Sequence, residues 1–305
     1  MKVLIVCSVN SGRIVPFILE QAQSLMKIGV SVDYFTIQGK GINGYLKNRK
    51  ALFKRINKYQ PDLIHAHYGL SGLLANLQRN IPVITTYHGS DINNSRVFFF
   101  SKMAMLLSAY NLFVSEKNRT KSGMKKKQSL IPCGVDINLF KLKDKTEAQK
   151  ILGFDSQKRY ILFAGAFKNA VKNAELARKA VANFPDVILL ELNGYSREEV
   201  VLLMNAVDIV LMTSFTEGSP QFIKEAMACN CPIVSVPVGD VPNVIKNVDG
   251  CYISTYELTD VSSKIQMALD FQKRTIGRNK IIELGLDSET VAKNILRIYE
   301  KLTQN

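Results

Sequence analysis

Short apolar runs of strand length alternate along this chain with segments whose apolar residues recur at helical spacing. In the first half the strand-like runs fall near 2–9, 31–37, 62–68, 81–87, 110–115 and 129–133; in the second, near 160–166, 187–193, 208–214, 232–238 and 251–254. Between the first two runs, Ile14, Phe17, Ile18, Ala22, Leu25 and Met26 form a helical stripe. The segments 45–59, 70–79, 96–108 and 116–124 read as further helices. Short, continuous apolar runs mark strands covered on both faces, so the pattern predicts an α/β chain with a doubly wound parallel sheet in each half. The polar, charged stretch Lys141–Lys150 separates the halves, which gives a first domain over 1–141 and a second over 142–287. After Tyr256 the pattern is helical, with a break near Gly285 and a last helix from Ser288 to about Leu302. That final segment, 288–305, is long enough to return to the first domain. Ligands in such sheets bind beyond the carboxyl ends of the strands, so two domains facing one another would share one crevice.

Candidate chemistry concentrates after the run at 208–214. There Glu217 and Glu225 stand on either side of a Gly-Ser-Pro turn. Pro220 suits the first position of a helix and Ser219 can cap it, so the amides at that helix start form an anion site suited to phosphate. Glu217 lies on the loop and Glu225 about one and a half turns into the helix. Either both carboxylates face a ligand crevice, or Glu217 is favoured by the helix dipole and Glu225 is a solvated helix residue. In the second domain the loop Gly165–Asn173 offers Lys168 and Lys172 to phosphates, or carries them as solvated residues. The loop after the first strand, Ser8–Arg13, is not G-x-G-x-x-G, so a nicotinamide site is not expected; Gly12 and Arg13 are available there to an acceptor or phosphate. All three histidines are close in sequence: His65 and His67 share a sheet face, and His88 ends the next strand, before a glycine and facing the crevice. A zinc site is conceivable, but His65 and His67 read first as satisfied near-core residues.

Composition narrows the class of protein. The 305 residues are 47% apolar and 22% charged, an ordinary globular balance with room for two domains. No run approaches the roughly 18 apolar residues of a membrane span. The start, MKVLIVCSVNSGR, reads as a strand rather than a secretion signal. Five scattered cysteines without a C-x-x-C pair suggest reduced thiols and a cytoplasmic protein. The net charge of +14 is lopsided: residues 1–145 hold 22 Lys/Arg and 7 Asp/Glu, whereas 146–305 hold 18 and 19. The excess gathers in Lys40–Lys58 and Lys117–Lys127, and Phe98, Phe99 and Phe100 lie nearby. Such a half suits an anionic membrane surface, an anionic lipid-linked substrate or nucleic acid, or is a basic solvated surface.

Taken together, HGSD (88–91), IPCGVDINLF (131–140), the loop Gly165–Lys172 and EGSPQFIKEAMACNCPIV (217–234) resemble glycosyltransferase family 4. These are retaining nucleotide-sugar transferases of the GT-B fold, two facing Rossmann-like domains. The resemblance implies that Glu225 binds the ribose hydroxyls of the donor and that Glu217 orients its sugar. Gly218, Ser219, Pro220 and Gln221 would meet sugar and diphosphate, and His88 would lie against the sugar near the reacting carbon. Lys172 would neutralise the leaving diphosphate, with Gly165 and Lys168 in the same loop and Asn193 and Gly194 toward the base. Gly12, Arg13 and Asp91 fall on the acceptor side.

The expected donor is a UDP-, GDP- or ADP-sugar, and the expected acceptor is a glycan or lipid-linked sugar of bacterial surface polysaccharide synthesis. The chain would work at the inner face of the plasma membrane through its basic half, without nucleic acid. No metal or cofactor is expected, in keeping with the lack of any Asp-x-Asp. Three departures stand out: Gly165-Ala166 where the family has Gly-Arg, a short segment from Phe184 to Asn205, and Gly239-Asp240 where the family has Gly-Gly. They leave open a non-catalytic sugar-nucleotide binder, and the charge leaves open a basic nucleic-acid-binding protein.

Overall fold

Every apolar run becomes a strand in the computed structural model, which describes residues 1–304. In the first half these are β1 (Lys2–Ser8), β2 (Ser31–Ile37), β3 (Leu63–His67), β4 (Val83–Tyr87), β5 (Tyr110–Phe113) and β6 (Gln128–Leu130). They form one parallel sheet in the order β2-β1-β3-β4-β5-β6. Alternate side chains of β1 serve opposite faces: Val3, Ile5 and Cys7 pack with Ile18, Ala22 and Leu25, whereas Leu4 and Val6 pack with Leu52 and Ile56. Each such fully buried aliphatic side chain contributes about 1.5–3 kcal/mol relative to exposure, so β1 is held on both faces although only β2 separates it from the sheet edge.

The second sheet contains β7 (Arg159–Phe163), β8 (Val187–Glu191), β9 (Ile209–Met212), β10 (Ile233–Ser235) and β11 (Cys251–Ile253), all parallel, in the order β11-β10-β9-β7-β8. Here too, Tyr160 and Leu162 enter one core while Ile161 and Phe163 enter the other. The short segment 184–205 still holds a complete unit, β8 and most of the helix Arg197–Ala206. That helix opens with a reciprocal capping box between Ser196 and Glu199.

Two compact units result: Met1–Gly134 together with the chain from Ser288 onward, and Val135–Asp287. The division falls before the expected boundary at 141. Val135 and Phe140 are already buried in the second core, and Val135 N–H donates to Leu286 O at 2.9 Å beside a bridge to Asp287. The last helix, Ser288–Thr303, belongs to the first unit, where Val291, Ala292, Ile295 and Tyr299 join the core under β1 and β3. The segment 45–59 is not one helix: Gly41–Leu46 and Arg49–Tyr59 are separated at Asn48, whose side chain donates to Gln38 O and Gly44 O. Among the described residues no helix is long and apolar enough to cross a membrane.

Candidate functional site

In the second sheet β8 and β9 flank β7 on opposite sides, so the loops after β7 and β9 part at the switch point where doubly wound sheets take ligands. Hydrogen bonds stitch these loops together. Phe215 N–H donates to Val171 O at 2.9 Å, and Thr213 Oγ1 donates to Lys172 O and Asn173 O at 3.1 and 2.9 Å. On that frame Lys172 Nζ donates to Glu217 Oε1 at 2.7 Å. The lysine stem lies across Gly165, whose φ of +146° lies in a region other residues seldom adopt; a Cβ there would come within 3.2 Å of Lys172 Cγ and Cε. Leu192 N–H donates to Gly165 O at 3.2 Å, which draws the loop after β8, with exposed Asn193 and Gly194, to the same end of the sheet. Lys168 is exposed and lines a depression with Phe167, Arg178, Lys179 and Phe215.

Glu225 is not a solvated helix residue. It is 4% exposed, and Arg197 Nη2 donates to its Oε1 at 2.8 Å while the guanidinium lies 4.7 Å from the Phe140 ring. Nor does Ser219 cap the helix. The helix runs Gln221–Ala228 with Pro220 at the cap position, and Ser219 Oγ instead donates to Asp240 Oδ2 at 2.5 Å. The same hydroxyl accepts from Lys224 Nζ at 2.5 Å, and that ammonium, fully buried, stands 3.8 Å from Asp240. Beside this trio the backbones touch: a Cβ on Gly239 would sit 2.4 Å from Gly218 O. The Asp240 that stands in place of a glycine is therefore the counter-charge of a buried lysine.

In the first unit the three histidines come together. His65 and His67 stack at 4.5 Å, and His67 Nδ1 lies 3.0 Å from His88 Nε2. His65 is held by Tyr299 OH at 2.5 Å and Thr86 Oγ1 at 2.7 Å. His88 sits between the Phe17 and Tyr68 rings, with its Nδ1 3.7 Å from Cys133 Sγ. Burial holds all three imidazoles neutral, with His65 and His88 pushed down to about 3 and His67 well below its ordinary value, helped by its two neighbours. A neutral ring carries one N–H. If His88 donated to His67, the buried, unpartnered His67 Nε2 would have to carry a stranded proton. Donation from His67 Nδ1 to His88 Nε2 avoids this and leaves the His88 proton on Nδ1.

Asp91, expected on the acceptor side, is 3% exposed and accepts from Gly69, His88 and Gly89 N–H at 3.0, 3.1 and 2.9 Å. It clamps the loops after β3 and β4 and offers an acceptor nothing; burial raises its carboxyl to about 6 against the opposing pull of these amides. Gly12 and Arg13 are exposed on the loop after β1.

Arg197, Lys224 and the histidine contact escaped the sequence reading. Only the histidines left a signal: His67 pairs with Thr86 across β3 and β4, so the register puts His88, two residues on, beside it. Among the described residues no group of three or more His, Cys, Asp or Glu side chains is arranged to hold a metal ion.

Two doubly wound units of parallel strands are the architecture of the GT-B glycosyltransferases. Two stretches of the chain match glycosyltransferase models: residues 15–139 match Glycosyltransferase Family 4 and residues 157–270 match Glycosyl transferases group 1. It is similar to the putative teichuronic acid biosynthesis glycosyltransferase TuaC of Bacillus subtilis (strain 168), 26% identical over 60% of this chain and 55% of that one. It is also similar to a D-inositol 3-phosphate glycosyltransferase of Mycobacterium sp. (strain KMS), 22% identical over 71% and 61%. The chain thus spans less than two thirds of the length of these relatives. Sucrose-phosphate synthase from Thermosynechococcus elongatus shares the fold with a TM-score of 0.87 at 17% identity, covering both chains fully. Anabaena Alr3699/HepE in complex with UDP-glucose shares it at 0.78 and 19% identity, over 99% of this chain and 100% of that one.

Proposed function

We propose that this chain is a retaining glycosyltransferase that takes its donor sugar from a nucleoside diphosphate, with the second unit as the donor half. The observation that carries this reading is the Lys172–Glu217 ion pair at the switch point, close-packed on Gly165. A diphosphate arriving there takes the ammonium from Glu217, which frees the carboxylate to accept from sugar hydroxyls. Arg197 and Glu225 offer a second exchange of the same kind, the carboxylate turning to ribose and the guanidinium to phosphate or base. A UDP-glucose complex of a fold neighbour supports a uridine donor first among the candidates.

Bond breaking of this type leaves charge on the diphosphate, so most of the acceleration comes from fixed cations and amides. His88 supplies no general base here. Its Nε2 accepts from His67, and its ring is held uncharged. The acceptor is a hydroxyl of a glycan or lipid-linked sugar in surface polysaccharide synthesis, a reading supported by the likeness to TuaC and by the basic first unit.

A thermal-shift screen with UDP, GDP, ADP and their sugars, followed by donor turnover, tests the proposal. One nucleotide should raise the melting temperature, and Lys172→Ala should lower kcat/KM about 10²–10³-fold with the fold intact. Because both carboxylates are already ion-paired, a non-catalytic binder is the second reading. Binding without any turnover, unchanged by Glu217→Ala, would establish it and overturn the first.

A further inference from the structure

The helix Ser95–Leu107 in the first unit is apolar nearly all round, so apolar side chains also stand on its outward face. Phe99 is 66% exposed, Leu106 79% and Met103 40%, and their spacing of four and three residues sets them in one row. Its inner face cannot turn out to hide them. Ser101, Ala104 and Met105 are buried, and Gly69 lies so close that a Cβ on it would meet Ser101 Oγ at 2.0 Å.

Cations surround this row. Lys102 and Lys121 both lie over the Phe98 ring, at 5.1 and 5.7 Å, and Leu106 and Leu107 share a depression with Arg79 and Lys127. No acidic residue occurs between Asp91 and Glu116. An exposed apolar row within a cationic rim is the reverse of what a solvated helix needs.

We infer that this face docks on an anionic lipid surface, with Phe99, Met103 and Leu106 entering the headgroup–acyl boundary and Arg79, Lys102, Lys121 and Lys127 meeting lipid phosphates. Both halves of the pattern then have a partner: hydrocarbon for the row and phosphate for the rim. Nucleic acid would satisfy the rim and could stack a base on Phe99, but it would leave Met103 and Leu106, which offer no ring, without a partner. A second copy of the chain would set one cationic rim against another. The inference goes beyond the proposed transferase activity and stands without it.

Flotation of the full chain with neutral phosphatidylcholine vesicles and with vesicles doped with phosphatidylglycerol tests it, and no sugar nucleotide is involved. The chain should float with the doped vesicles only. Phe99→Ser with Leu106→Ser should weaken that partitioning at least tenfold, and Lys102→Glu with Lys127→Glu about fivefold or more per site. Every position changed is exposed, and an unaltered melting temperature would show that the fold persists. Undiminished flotation of the serine variant overturns the inference. So does failure of the unaltered chain to float, whether it then binds nucleic acid or forms a dimer that the serine variant dissolves.

Discussion

The two units keep polar side chains in their interiors by opposite means. The first holds His65, His67 and His88 uncharged, each hydrogen-bonded or stacked on the next, with Tyr299 at one end and Cys133 at the other. The second holds charges in pairs: Lys172 with Glu217, Arg197 with Glu225, and Lys224 with Asp240. A neutral chain fixes ring positions and tautomers without drawing in counter-ions, which suits groups that must stay in place. A paired charge can exchange its partner for that of an anionic or polyhydroxyl ligand, at a cost set by how deeply it is buried. Under the proposed function the second unit is the half that receives the charged ligand, and Lys224, the one fully buried cation of the three, faces the highest cost of exchanging its partner.

The comparison is broken most directly by pH. Each histidine has a folded pKa below its unfolded value of 6.5, so the neutral form stabilises the fold, fully above that pH, and the contribution is lost as pH falls toward 3. Asp91 has the opposite sign: raised from 3.8 to about 6, it binds its proton more readily when folded and partly offsets the loss between those values. Near pH 5 the three histidines hold fewer protons in the native state than in the unfolded chain, and Asp91 makes up only part of that difference. Denaturant midpoints should therefore fall steeply from pH 7 to pH 4.5. A His65→Gln variant should show the shallower slope of a chain with one fewer neutral histidine to protect. Equal slopes would mean that the histidines titrate normally and that the first unit is not a neutral relay.

The second unit is tested by removing one charge and then both. Lys224→Met leaves Asp240 without its counter-charge beside a buried helix start and should cost about 3–5 kcal/mol in chemical denaturation. Adding Asp240→Asn should restore most of that stability, because the buried pair is then gone rather than broken. A single variant as stable as the unaltered chain would make Lys224 a passive core residue and would remove the contrast with the other two pairs.

How far the sequence carried the reading follows the same division. Strands showed plainly, because a strand covered on both faces has an apolar run that nothing else along the chain imitates; all eleven runs are strands. The boundary at 141 was misplaced because the polar stretch there is a surface helix of the second unit, Lys145–Leu152, whereas the true division after Gly134 has no compositional mark. Glu217 and Glu225 stood out in one dense local motif and Lys172 in the loop after β7, and the structure brings Lys172 onto Glu217. The partner of Glu225 did not stand out, since Arg197 lies 28 residues from it and meets it only through the order of the second sheet. Asp91 was misread for a related reason. An aspartate after a glycine at the end of a strand looks the same in sequence whether it faces a ligand or turns back to clamp three amides.

The smallest expected effect is also the most local. Tyr299 lies on the last helix, 234 positions from His65, and its hydroxyl stands 2.5 Å from His65 Nδ1 in a fully buried contact. Burial keeps the phenol protonated, its pKa raised far above the ordinary value, so the hydroxyl proton is available to the ring. If Tyr299 donates to Nδ1, the His65 proton sits on Nε2 and is donated to Thr86 Oγ1, which fixes the ring against which His67 stacks. Tyr299→Phe removes that donor and leaves a buried ring nitrogen without a partner, at a cost of about 1–3 kcal/mol. It should also allow His65 to populate both tautomers, visible in its ring nitrogen-15 shifts. A variant that loses stability while His65 keeps a single Nε2–H tautomer would show that the hydroxyl only fills space, and that the last helix reaches the first unit's site through packing alone.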